Sequence, residues 1–82
     1  MRRIPTVVAA TPLDGSRLRV HFTDGREVIY DCGPLLARPP FAPLANPAFF
    51  RTVRVDPGGY GISWNDEIDL SEYELWTNGV AA

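Results

Sequence analysis

Lysine is absent, and cysteine, histidine and methionine each occur once. Each scarcity excludes something. A lone Cys32 cannot close an internal disulfide, so the fold must stand on packing, as expected of a protein kept in a reducing compartment. A cytoplasmic location is therefore expected. One histidine, His21, and one cysteine cannot assemble a zinc site, and no cofactor is implied. No stretch approaches the ~18 consecutive apolar residues of a membrane span. The opening Met1-Arg2-Arg3 resembles the basic start of a signal peptide, but the apolar residues after it are interrupted by Pro5, Thr6 and Thr11. Val7-Val8-Ala9-Ala10 reads as strand.

Catalytic pairings are scarce as well. Cys32 precedes Gly33-Pro34 with no base at a telling spacing, which predicts a buried, inert thiol. Pro57-Gly58-Gly59-Tyr60-Gly61 lacks the lysine and following helix of a phosphate loop and reads as a turn. Asn65, Asp66, Glu67 and Asp69 cluster oxygens, but without the glycine and distal glutamate of a calcium loop they predict a turn leading to a helix. No enzyme activity is expected.

What the chain does have is an ordinary globular balance, 45% hydrophobic and 22% charged, within 82 residues. That length predicts a single domain over residues 1–82. Its core is small enough to gain from a partner, either another small protein or a second copy forming a homodimer. Every basic residue is arginine, a bias that GC-rich coding also produces. Charge is polarised along the chain. Residues 1–54 carry all eight arginines against Asp14, Asp24, Glu27 and Asp31, whereas residues 55–82 carry Asp56, Asp66, Glu67, Asp69, Glu72 and Glu74 with no base.

Periodicity predicts an α+β domain in the order β-β-β-α-β-β-α, with an antiparallel sheet in two hairpin or meander units and short helices. Ile4–Ala10 is a first strand closed by Pro12-Leu13-Asp14-Gly15-Ser16. In Arg17–Phe22 strict alternation puts Leu18, Val20 and Phe22 inward and Arg17, Arg19 and His21 outward. The following Thr23-Asp24-Gly25 predicts a loop with Gly25 left-handed, because that register sets Val20 opposite Val28, Leu18 opposite Tyr30 and His21 opposite Glu27. Prolines then limit Pro34–Ala37 to a short helical turn, and Asn46-Pro47 caps a brief helix carrying Phe49 and Phe50. Arg51–Asp56 and Tyr60–Trp64 form the second hairpin, with Tyr60–Trp64 the last strand. Ser71 and Glu74 frame a capping box for a final acidic helix that Gly79 stops, with Leu75 and Trp76 facing the sheet and Val80-Ala81-Ala82 fraying.

The ordered set Phe22 with Asp24-Gly25, Asp31 before Pro34-Leu35-Leu36, Phe41-Ala42-Pro43-Leu44, Phe49, Val53 and Val55, Ile62-Ser63-Trp64, and Ile68-Asp69-Leu70 before Leu75 resembles the Domain of Unknown Function 2442 family. The likeness runs from about Val8 to Trp76, and this chain departs from the family pattern at Asp66-Glu67 and Trp76. The resemblance implies a small bacterial α+β domain on an antiparallel sheet with no catalytic residues to carry over. Associations within that family with toxin–antitoxin-like pairs and with helix-turn-helix domains imply docking or regulation.

Two functional readings follow. The first is a non-catalytic, antitoxin-like protein-interaction module, in which an edge strand and the acidic segment Asp66–Glu74 cover a basic surface of another small protein. Its candidate residues are Trp64, Asp66, Glu67 and Asp69, with the edge being the strand ending at Trp64 or the N-terminal one. Trp64 and Trp76 either both pack in the core or leave one ring half exposed as an anchor. The alternative is a regulatory nucleic-acid binder using Arg17, Arg19, His21 and Arg54, with Arg51, on the outer sheet face. Net charge −2 and the inward aromatics weigh against nucleic acid.

Overall fold

In a computed structural model of the chain, residues 4–82 are described; the Met1-Arg2-Arg3 reading lies outside them. The first hairpin follows from the side-chain period. β2 (Arg17–Phe22) buries Leu18, Val20 and Phe22, and β3 (Glu27–Asp31) buries Val28 and Tyr30, so both strands turn one apolar face inward. The register pairs Val20 with Val28, Leu18 with Tyr30 and His21 with Glu27, as the alternation predicts. Gly25 at φ 89° makes the turn, its N–H donating to Phe22 O at 3.0 Å while Phe22 N–H donates to Arg26 O at 2.9 Å.

β1 (Val7–Leu13) is shifted three residues along the chain from the expected Ile4–Ala10, since Ile4, Pro5 and Thr6 precede it. Pro12 and Leu13 belong to it, opposite Leu18 and Arg17, rather than closing it. Because β1 is an edge strand, a proline without an N–H is tolerated there. A bulge between Val7 and Ala9 turns Val8 out to 55% exposure.

The proline-rich connection folds as two 3₁₀ segments, Gly33–Ala37 and Pro39–Ala45, which deliver Leu35 and Leu44 to the core. Helix α1 (Pro47–Phe50) starts at Asn46, whose Oδ1 accepts from the N–H groups of Ala48 and Phe49. Its last turn absorbs Arg51 and Thr52 through N–H bonds to Pro47 O and Phe49 O, so the expected strand shrinks to β4 (Arg54–Val55).

Two expectations about the C-terminal half are corrected. β5 (Gly61–Ser63) is not the last strand, since β6 (Asp69–Ser71) pairs with it and β7 (Val80–Ala81) pairs with β3. Val80–Ala82 is accordingly tied down, Ala82 N–H donating to Glu27 O at 3.1 Å. Between β6 and β7 lies α2 (Glu72–Asn78), capped by Ser71 Oγ accepting from Glu74 N–H at 3.1 Å.

The strands form two antiparallel sheets, β1-β2-β3-β7 and β4-β5-β6, and the architecture is a small α+β domain. α2 packs against β3, β5 and β6, so Leu75 is fully buried among Phe22, Ile62 and Leu70 in one continuous core.

Candidate interaction surfaces

The arginine face is the outer surface of β2. Its neighbours on β3 are set by register: Asp31 stands opposite Arg17, Ile29 opposite Arg19 and Glu27 opposite His21. Glu27 takes both Arg19 (Nη1 to Oε1, 3.9 Å) and His21 (Nδ1 to Oε2, 3.5 Å), while Arg17 Nε donates to Asp14 O at 3.1 Å. The stripe is thus interleaved with carboxylates rather than open. Arg54 does not join it, because β4 belongs to the other sheet, where Arg54 faces Ser63. The register gives this face Ala9, Thr11 and Leu13 from β1 and Val80 from β7, so these neighbours bring no Phe, Tyr or Trp ring to the arginines for stacking on a nucleobase.

Trp64 is placed in the core, 4% exposed, stacked on Phe50 at 6.0 Å between centroids, with its indole N–H donating to Phe50 O at 2.8 Å. This burial removes it as a surface anchor. β5, the strand that precedes it, is central in its sheet and offers no edge, whereas the N-terminal β1 is an edge. The half-exposed indole is Trp76, which sets its ring edge-on to Phe22 at 5.3 Å and carries the Arg26 guanidinium at 4.3 Å.

Asp66, Glu67 and Asp69 are exposed together on one loop-and-edge unit. Asn65 builds the loop: its Oδ1 accepts from Glu67 N–H at 2.8 Å and Ile68 N–H at 2.9 Å, while Trp64 N–H donates to Ile68 O. Ile68 and Leu70 point inward, which forces Asp69 outward, and β6 is an open edge of its sheet. The remaining acids of this half are engaged elsewhere. Asp56 accepts from Ser63 Oγ at 2.6 Å, Glu72 is buried, and Glu74 turns toward Tyr30. Among the described residues no group of His, Cys, Asp or Glu side chains is arranged to hold a metal ion.

One cluster was not legible along the chain. Tyr30 OH donates to Glu74 Oε2 at 2.8 Å, and Asn78 Nδ2 donates to the same oxygen at 3.0 Å. They border a groove of about 580 Å³ between the end of β3, the first 3₁₀ segment and the end of α2, with Ile29, Leu35 and Val80 as apolar walls. Burial, reinforced by the bond to Glu74, pushes the Tyr30 phenol well above its ordinary range, so it acts as a fixed donor. The only sequence signal was that Tyr30 falls on the inward face, where a phenol needs a partner. Beside it, burial and then the Asp31 charge push the Cys32 thiol up to about 12, which leaves it protonated and unfit as a nucleophile.

Among the described residues no helix is long and apolar enough to cross a membrane. No curated protein and no solved structure matched the chain. Residues 7–81 match the family described as "Protein of unknown function (DUF2442)", nearly the whole length and every strand of both sheets. The chain belongs to that family.

Proposed function

We propose that this chain is a non-catalytic interaction module of the cytoplasm that docks, in the manner of an antitoxin, on a basic surface of another small protein. The observation that supports this reading is the acidic unit: Asp66, Glu67 and Asp69 project from one braced loop and an open sheet edge, with no ion pair to an arginine among the described residues. Three like charges held together cost little in water and become favourable when a complementary surface meets them, chiefly by steering encounter and fixing orientation. The mechanism is occlusion. The partner's basic groups are covered, and its activity is blocked while the complex lasts.

The arginine face is the competing surface, and its weakness as a nucleic-acid site lies in Glu27 and Asp31, which oppose phosphate where Arg17 and Arg19 would attract it. A single experiment separates the two. The tagged chain is purified from its native lysate with and without nuclease, beside the variants Asp66→Arg with Glu67→Arg and Arg17→Ala with Arg19→Ala. The expected result is a stoichiometric protein that survives nuclease, is lost with the acid-reversed variant at unchanged Tm, and is retained by the arginine variant. Co-purifying nucleic acid lost with Arg17→Ala and Arg19→Ala overturns the reading, as does a protein partner indifferent to Asp66 and Glu67.

A further inference from the structure

The groove beside β3 is open because β7 is too short to fill it. Main-chain groups alternate sides along a strand, so the partners at either end of β3 reveal which way each residue faces. Cys32 N–H donates across to Ser16 O near β2, whereas Glu27 O accepts from Ala82 N–H on the β7 side. Asp31 is four residues beyond Glu27 and shares its orientation, toward β7. The ladder with β7, however, ends at Ile29 opposite Val80, after which the chain bends through Gly79 into α2. The N–H and C=O of Asp31 therefore face the groove with no strand beside them, which is the geometry an added strand uses.

The walls define what such a strand must carry. On the outer side Ile29 and Val80 offer apolar contact, Val80 being 70% exposed, and Pro34, Leu35 and Ala81 also line the groove. On the inner side stands the Glu74 carboxylate. Both of its donors, the Tyr30 hydroxyl and the Asn78 amide, are neutral and bind the same oxygen, and no basic side chain forms an ion pair with it among the described residues. Arg17, on the rim, lies across from Asp31 and is held by Asp14 O, so that among the described residues no guanidinium is in ion-pair contact with Glu74. A carboxylate oriented by neutral donors beside an apolar wall is complementary to a cation on an apolar stem.

We infer that this groove is a docking site for an extended polypeptide segment of a partner protein, bound as a short strand on the open end of β3 with an arginine or lysine head on Glu74 and small apolar residues against Ile29 and Val80. The site is separate from the Asp66–Asp69 unit and does not depend on it.

The test uses a random peptide library displayed on phage, panned on the intact chain, with binders measured against Glu74→Gln, Val80→Arg and the Asp66→Arg, Glu67→Arg variant. Glu74→Gln keeps acceptors for Tyr30 and Asn78, and Val80→Arg adds a cation at an exposed rim without entering the core. Selected peptides are expected to share a basic residue flanked by small apolar ones. They should bind at least about tenfold more weakly to Glu74→Gln and to Val80→Arg, and with unchanged affinity to the acid-reversed variant. Amide shifts on titration should centre on Ile29, Asp31 and Asn78. Acidic or charge-indifferent peptides, binding that survives both groove variants, shifts confined to the 65–69 loop, or no enriched peptide each overturn the proposal. Failure here leaves the acidic-unit reading standing, because that reading is decided by Asp66 and Glu67 alone.

Discussion

At the scale of single residues, burial governs what each polar group can do. Trp64 and Trp76 have the same chemistry but opposite placements: the first satisfies its indole N–H on Phe50 O inside the core, and the second lies half open under Arg26. Cys32 and Tyr30 are both held protonated by burial, and this has a pH consequence. A group whose folded pKa is raised binds its proton more tightly when native, so its contribution is full below the unfolded value and is lost as pH rises toward the folded one. For Cys32 that window runs from 9.0 to about 12, and Tyr30 adds a loss that begins at 10.0. Urea midpoints are expected to fall as pH rises above the thiol's ordinary value, with a shallower fall in Cys32→Ala. An identical alkaline slope in that variant would show that the thiol carries none of the effect. The alternation in β2 made Leu18, Val20 and Phe22 legible as core from sequence, and Tyr30 legible as inward. That Glu74 would receive its hydroxyl depends on a contact spanning 44 positions, which no local period encodes.

Elements were legible in proportion to the local chemistry that specifies them. The β2–β3 register follows from matching two apolar faces across a loop with a left-handed Gly25, and the α1 and α2 caps follow from Asn46-Pro47 and Ser71. β6 and β7 went unseen because three and two residues cannot display a period; each exists through the strand it pairs with. The strand expected over Arg51–Asp56 lost its first half to the closing turn of α1, whose orphan carbonyls at Pro47 and Phe49 take the N–H groups of Arg51 and Thr52. The loop before β6 rests on one side chain. Asn65→Ala removes the acceptor for Glu67 and Ile68 N–H, and a cost of about 1 kcal/mol is expected, with faster hydrogen exchange at those two amides and little change in β2. Unaltered exchange there would place the loop's order in the Trp64–Ile68 pairing instead.

Across the whole molecule, the two sheets are not independent units. Phe22 from one sheet, Ile62 from the other and Leu75 from α2 belong to one core, and β1 packs against β4 and β5. A chain this short buries only roughly 60 to 65% of its unfolded surface, which leaves neither sheet enough apolar area to stand alone. Unfolding is therefore expected to be a single transition, with the near-ultraviolet signal of Trp64 and Trp76 coinciding with the far-ultraviolet signal in urea. Separated midpoints would mean that the β4-β5-β6 sheet opens first. The same assembly redistributes charge. Along the chain the last third is uniformly acidic, but folding turns Glu72 and Glu74 inward and engages Asp56, so that the open acidic surface contracts to Asp66, Glu67 and Asp69. On the other side Glu27 and Asp31 come to lie among the arginines.

Sequence by itself determined the α+β class, the inward set of the first hairpin, the two helix caps and the family, because each rests on spacing, turn chemistry or an ordered string of anchors within a few residues. Only the tertiary structure decided which tryptophan is open, which strands are edges, which arginines share a face, and that β7 stops short of Asp31 to leave a groove over Glu74. Those outcomes depend on contacts between residues far apart along the chain, where packing rather than local preference sets the lower free energy.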